Sequence, residues 1–135
     1  MGKPHCSECV TEGVRVCVEP SYLPDHSDPD DRRFVFGYRV TITNEGPSWV
    51  KLMSRRWVIV DASGRRDEVT GDGVVGQQPE LDPGQSFSYV SHCPLTKPWG
   101  TMEGAYQMLC QDGRLMEVKI DRFFLVAPQE VTAGA

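Results

Sequence analysis

The sequence lacks the features that would direct the protein to a membrane or to a nucleic acid. No apolar run approaches the roughly 20 residues that a bilayer-spanning helix needs, and the N-terminus has no apolar core of the kind found in signal peptides. Basic residues are also in the minority, since 14 Lys and Arg stand against 19 Asp and Glu, a net charge of −5. Such a surface repels polyphosphate backbones at long range. We therefore expect a cytoplasmic protein that has no membrane and no nucleic acid as a partner.

The cysteines do not have the pattern of a disulfide framework. There are five, an odd number at irregular spacings, and without a secretory signal we expect reduced thiols. Cys6 and Cys9 form a single C-x-x-C after His5, which is half of a zinc site, but no second pair supplies the remaining ligands. We favour the alternative, that residues 1–13 form a flexible N-terminal segment. Residues 129–135 are small and polar, and we expect this tail to fray.

The sequence also has no segment with the periodicity of an amphipathic helix. Its apolar residues recur with a period of two, most clearly from Phe34 to Thr43, and this period is typical of half-buried strands. The other predicted strands are Val14 to Val18, Trp49 to Val60, Arg65 to Val69, Ser86 to Ser91, Thr101 to Cys110 and Arg114 to Leu125. A change of pattern near Ser54-Arg55-Arg56 indicates either a bulge or a change of sheet within the predicted strand Trp49 to Val60.

These strands predict one all-β domain at residues 14–128. About seven or more strands with turn residues at short intervals favour an immunoglobulin-like or fibronectin type III-like sandwich of two antiparallel sheets. A small closed barrel is the alternative. At 135 residues the chain leaves no room for a second domain.

Several stretches of the chain closely resemble the ApaG family. They are YLPDHSDPD (Tyr22–Asp30), RVTITNEGP (Arg39–Pro47), LMSRRWVIVDASG (Leu52–Gly64), VTGDGVVGQQPELDPGQSFSYVSHCPL (Val69–Leu95) and GTMEGAYQM (Gly100–Met108). The resemblance spans roughly residues 14–128 and implies the fibronectin type III-like fold. It also implies a link to cobalt resistance and magnesium efflux, and it implies use as a protein-interaction module, because similar domains are appended to larger eukaryotic proteins. It implies no settled enzymatic activity.

The segment GDGVVG (Gly71–Gly76) fits the glycine pattern of dinucleotide-binding loops. That function requires a helix directly after the motif, and Pro79 and Pro83 leave no room for one. A helix-free nest of backbone N–H groups could still hold pyrophosphate, as the resemblance also implies. Gly71, Gly73 and Gly76 would form this nest, with Arg55 and Arg56 supplying positive charge.

Two other interpretations of the same loop remain open. The glycines could serve only to allow positive φ in a connection between strands, with Val74 and Val75 closing one end of the sandwich. Alternatively, the two valines could contact a partner protein from an exposed loop. Asp72 favours either of these over the anion site, because its carboxylate would repel a phosphate.

No other residue pattern indicates catalysis or a cofactor. His92 and Cys93 are adjacent in a strand and would point to opposite faces. Asp28 and Asp30 lie in an acidic loop that offers hard ligands to a divalent cation, yet the loop lacks the EF-hand order, and we favour a solvated surface loop. Trp99 follows a Lys-Pro turn, where it would either anchor a partner protein or pack over the end of the core.

The sequence therefore predicts a non-enzymatic binding module without a cofactor, either a monomer or a homodimer. An unidentified protein partner is the first hypothesis. Binding, or even hydrolysis, of a nucleotide or pyrophosphate at the GDGVVG loop is the second.

Overall fold

The computed structural model describes residues 6–128. This part of the chain contains nine strands and two single turns of 3-10 helix. The strands are β1 (Ser7–Thr11), β2 (Val14–Tyr22), β3 (Phe34–Asn44), β4 (Val50–Asp61), β5 (Arg66–Asp72), β6 (Glu80–Leu81), β7 (Ser86–Leu95), β8 (Trp99–Cys110) and β9 (Leu115–Val126). The 3-10 turns, Pro24–His26 and Pro29–Asp31, lie in the predicted surface loop. No helix within residues 6–128 is long and apolar enough to cross a bilayer.

The strands form two sheets with antiparallel pairing throughout. One sheet has the order β1-β2-β3-β7, and the other has the order β5-β4-β8-β9, with the short β6 paired to β4. The inward-facing side chains of both sheets form one hydrophobic core. The predicted all-β sandwich of two antiparallel sheets is therefore confirmed.

The core forms because alternate residues of each strand are apolar. Tyr38 of β3 and Trp57 of β4 meet across the two sheets with ring centroids 5.4 Å apart and an edge-to-face geometry. Trp57 also makes edge-to-face contacts with Tyr106 and Phe123. Aromatic pairs in this geometry gain energy beyond the area that they bury. The aromatic residues therefore fix how the two sheets lie on each other.

The prediction of a flexible segment over residues 1–13 is wrong from Ser7 onward. Strand β1 pairs along its full length with β2 and ends at Thr11, opposite Val14. The two residues between them, Glu12 and Gly13, have φ of 46° and 87°. Positive φ at both positions defines the tight hairpin turn whose twist matches that of the flanking strands. Residues 1–5 and 129–135 lie outside the described part of the chain.

Strand β2 continues beyond Val18, the end of the predicted strand, and it includes Pro20. Pro20 lies opposite Tyr38 of β3, whereas β1 accompanies β2 only up to the pair Ser7 and Val18. Past Val18 the strand is therefore an edge, where a residue without an N–H is tolerated. Of the two alternatives predicted for β4, the bulge is confirmed, because the register with β8 shifts between Leu52 and Ser54.

Candidate functional site

The GDGVVG segment forms the end of β5 and a tight two-residue turn. Gly71 and Asp72 are the last residues of β5. Beyond them, the N–H of Val74 donates to the carbonyl of Gln77, and the N–H of Gln77 donates back to Val74, both at 2.8 Å. Val75 and Gly76 lie between these two residues with φ of 42° and 78°. The motif therefore contains a small hairpin turn in which positive φ is a structural need.

Most of the turn's backbone donors are already engaged inside the protein. The N–H of Gly73 donates to the carbonyl of Met53 at 2.9 Å. The side-chain amide of Gln78 donates to the same oxygen at 3.0 Å. Together with the Val74 and Gln77 pair, three N–H groups between Gly73 and Gln77 have protein acceptors. An anion nest needs such groups free and convergent. The geometry thus favours the structural interpretation of the three glycines.

Arg55 holds the loop through its carbonyl groups. Its Nη1 donates to the carbonyls of Asp72 at 3.0 Å and Gly73 at 2.9 Å. Gly71 lies directly opposite Arg55 in the strand pairing, and a Cβ on Gly71 would come within 2.8 Å of the same Nη1. A side chain at position 71 would therefore push this guanidinium away from the two carbonyls that it binds.

The two candidate arginines have separate roles. Arg56, on the opposite face of β4, forms an ion pair with Glu68 at 3.2 Å, and its guanidinium lowers the pKa of the Glu68 carboxyl. Arg55 lies near the buried hydroxyls of Tyr89 and Tyr106, which hydrogen-bond to each other. Burial raises the pKa of both phenols, and the nearby Arg55 opposes this shift. Arg55 therefore lies opposite Gly71 and binds the carbonyl of Gly73, whereas Arg56 is paired with Glu68.

We expect Arg55→Gln to destabilise the fold by about 2 kcal/mol, because charge-assisted hydrogen bonds to two backbone carbonyls are lost. Arg56→Gln is the matched control, and it should leave the urea midpoint almost unchanged because its ion pair is exposed. Urea unfolding followed by tryptophan fluorescence measures both variants. Equal midpoints for the two would contradict the role assigned to Arg55.

The two valines of the loop lie in different environments. Val74 is fully buried and belongs to the hydrophobic core, whereas Val75 is 51% exposed. The prediction that Val74 contacts a partner is therefore wrong, because the hairpin turn points this side chain inward. Val75 alone is on the surface, and the prediction that both valines close the end of the sandwich is correct only for Val74.

Trp99 is part of a larger exposed apolar surface. It is the first residue of β8, is 45% exposed and lies directly opposite Val126 of β9, which is 58% exposed. Phe124, 59% exposed, lies two residues before Val126 on the same face. We call these three residues the β8–β9 patch. An open groove of about 990 Å³ adjoins it, lined by Phe124 and Val126 and by Tyr22 and Pro128.

Phe124 and Val126 are not among the site residues predicted from the sequence. The available signal was the doublet Phe123-Phe124 in a strand that otherwise alternates, because two adjacent strand residues cannot both face the core. The register between β8 and β9 shifts between Met102 and Gly104. This shift puts Phe123 in the core and Phe124 on the surface.

The weak candidates for metal binding do not come together. Cys9 lies in β1 three residues after Cys6, and residues three apart along an extended chain point to opposite sides. The thiol of Cys6 instead lies beside Cys17, where burial and this contact raise the pKa of Cys17 to about 11. Asp28 and Asp30 are on the surface, and His5 lies outside the described residues. Across residues 6–128, no three His, Cys, Asp or Glu side chains form a group suited to a metal ion.

The pair His92 and Cys93 has no shared site either. His92 is exposed and Cys93 is buried, as expected for neighbours in a strand. Burial raises the pKa of the Cys93 thiol to about 11. A thiol this far from its reactive thiolate form is suited to packing and unsuited to nucleophilic attack.

Comparisons with known proteins agree on one family. The family model described as the ApaG domain matches residues 24–110. The chain is 52% identical over 121 residues to Protein ApaG of Brucella anthropi, a match that covers 90% of this chain and 93% of the relative. Protein ApaG of Brucella canis is 51% identical with the same coverage. The crystal structure of an ApaA protein from Bordetella pertussis superimposes with a TM-score of 0.84 at 46% identity, covering 87% of this chain and 95% of that one. The family match, the relatives and the shared sandwich together establish that this chain belongs to the ApaG family.

Proposed function

We propose that this protein is a non-catalytic binding module that holds a partner protein on the β8–β9 patch. The observation that carries the proposal is the exposure of two large aromatic side chains, Trp99 and Phe124, on one face of one sheet. They are the exposed aromatic residues within 6–128. Aromatic residues that remain exposed in this way are the usual anchors of protein interfaces.

The arrangement of the patch favours an apolar segment of a partner as its ligand. Trp99 and Val126 are cross-strand neighbours and Phe124 is diagonal to Trp99, so the three side chains share one face of two adjacent strands. The adjoining groove exposes further apolar surface of Tyr22 and Pro128. A contiguous apolar surface of this kind is more typical of an interaction site than a single exposed valine.

Other functions draw less support from the described residues. Catalysis would need a nucleophile with a base in reach, and the buried Cys93 thiol and the outward-facing His92 do not provide this pair. Direct cobalt or magnesium binding would need a cluster of ligands, and residues 6–128 bring none together. The family's link to cobalt resistance and magnesium efflux would on this proposal act through the partner protein.

Site-specific photocrosslinking in cells tests the proposal. We expect p-benzoylphenylalanine at position 124 to form a reproducible crosslink to one partner protein. The matched control position is Leu115, which lies at the other end of β9 and is 57% exposed, against 59% for Phe124. Identical crosslinks from both positions, or none from position 124, would contradict the proposal.

The partner identified in this way permits an affinity measurement. Because truncation of a central interface aromatic costs about 2 kcal/mol or more, Phe124→Ser and Trp99→Ala should each weaken binding at least about 30-fold. Leu115→Ser should leave the affinity unchanged. Titration of the purified partner into each variant gives the three dissociation constants.

A further inference from the structure

Apart from the two-residue β6, the sheets within residues 6–128 have four edge strands, and two of these cover each other. The hydroxyl of Ser7 in β1 donates to the carbonyl of Asp121 in β9 at 2.9 Å. The hydroxyl of Thr11 accepts from the N–H of Lys119 at 3.1 Å. Side chains of β1 therefore satisfy part of the backbone of β9, and another strand could not pair with either edge here without displacing these contacts.

The third edge, β5, is protected by charge. Four of its seven residues are of charged types: Arg66, Asp67, Glu68 and Asp72. Charged side chains along an edge are a common means by which proteins prevent edge-to-edge pairing, because a second strand would desolvate them.

The fourth edge, β7, has neither kind of protection. It runs for ten residues, Ser86 to Leu95, without a Lys, Arg, Asp or Glu. Within the described residues it pairs only with β3, so one side of its backbone has no strand partner. Pro94 lacks an N–H and limits any new ladder to Ser86 through Cys93. A long, uncharged and unpaired edge is a template for another strand.

The side chains near β7 leave this edge accessible. The hydroxyls of Ser86 and Ser88 hydrogen-bond to Thr43 and Thr41 of β3, at 2.8 Å and 2.9 Å. These bonds hold the two serines toward β3, away from the free edge. Val90, the next residue on the same face, is 47% exposed.

We infer that β7 pairs antiparallel with β7 of a second copy of this chain, and that the two four-stranded sheets join into one of eight strands. A second copy fits because an uncharged strand can face itself without bringing like charges together, although each chain carries a net charge of −5. Core-facing residues of one copy lie opposite core-facing residues of the other only when one residue of β7 pairs with the same residue of the second copy. The two central residues of the ladder are Tyr89 and Val90, and one of them then lies on the two-fold axis.

Sedimentation equilibrium over a range of protein concentrations tests this inference. We expect the unmodified chain to show a monomer–dimer equilibrium. Val90→Lys should weaken the dimer at least about tenfold, because two like charges lie opposite or diagonal across the axis. Added salt should partly reverse this loss by screening the charges.

Val10→Lys is the matched control. Val10 is also an edge-strand valine that is 47% exposed, but it lies on β1 at the other end of the same sheet. This variant should dimerise like the unmodified chain, and circular dichroism checks that both variants are folded. A chain that stays monomeric up to about 1 mM, where pairing would contribute less than about 4 kcal/mol, would overturn the inference. Equal effects of the two lysines would also overturn it.

This inference is independent of the proposed function. Strand β7 and the β8–β9 patch belong to different sheets. A Val90→Lys variant that becomes monomeric should therefore retain the crosslink from position 124, and Phe124→Ser should retain the dimer.

Discussion

Replacement of Gly73 by alanine is expected to destabilise the protein by about 3 kcal/mol, whereas the same replacement at Gly76 should cost about 1 kcal/mol. Both glycines have positive φ, 61° and 78°, so both variants incur the cost of a left-handed L-residue. A Cβ on Gly76 would meet nothing within 4 Å, but on Gly73 it would lie 2.3 Å from the carbonyl oxygen of Gln77. That backbone must move, and the hydrogen bonds between Val74 and Gln77 are lost with the movement.

Urea unfolding of the two alanine variants measures this difference. Equal losses of stability would show that the backbone at Gln77 adjusts freely, contrary to the expectation. The comparison also decides how the loop's ligand binding is tested, because a Gly73 variant would lose binding simply by losing its structure. Calorimetric titration with pyrophosphate is therefore informative for the unmodified chain and for Gly76→Ala. If pyrophosphate binds saturably to the unmodified chain and does not bind to Gly76→Ala, the result would favour the anion site over a purely structural loop.

Replacement of Asn44 by aspartate is expected to cost about 3 kcal/mol at pH 7, although the two side chains have nearly the same shape. Asn44 is 1% exposed. Its amide nitrogen donates to the carbonyls of Ser48 at 2.8 Å and Leu81 at 3.0 Å, and its oxygen accepts from the N–H of Gly46 at 3.0 Å. An aspartate would keep only the last bond and would turn a carboxylate oxygen toward two carbonyls.

The loss in the Asn44→Asp variant should depend on pH. Burial against carbonyl groups raises the pKa of the introduced carboxyl above its unfolded value. A group whose folded pKa is raised weakens the fold as the pH rises, so the variant should recover stability as the pH falls below the folded pKa. Unfolding of Asn44→Asp and Asn44→Ala between pH 4 and pH 8 checks this, since only the aspartate variant should show the dependence. An aspartate variant as stable as the unmodified chain at pH 7 would contradict the role of the amide.

Asn44 also shows how turn residues can be misinterpreted from sequence. Asn44-Glu45-Gly46-Pro47 predicts a turn, and a turn does follow β3. Asn and Gly commonly serve turns by accepting positive φ, yet neither Asn44 nor Gly46 has it. Asn44 acts through its side chain instead, by binding the turn and strand β6 together. A turn asparagine can serve through its backbone conformation or through its side chain. The second role depends on whether carbonyls from distant parts of the chain lie within hydrogen-bond distance of its amide.

Local residue patterns were sufficient to identify most of the strands and the class of fold. Alternation with period two is a local property, so it identified β3, β4, β7, β8 and β9, and the change of pattern in β4 identified its bulge. The same logic separated His92 from Cys93. The pairing of residues 7–11 was missed because the sequence SECVT does not alternate clearly between apolar and polar residues, and its one aliphatic residue, Val10, is exposed.

Contacts between distant strands determine which of these residues are available for binding. Arg55 and Arg56 are adjacent and equivalent in sequence, but the register of β4 against β5 directs one to the loop carbonyls and the other to Glu68. In the same way the register of β8 against β9 exposes Phe124 and places Val126 opposite Trp99. The order of the strands leaves β7 as an unprotected edge. Register and strand order arise from contacts between residues far apart in the chain, and local periodicity carries no information about them.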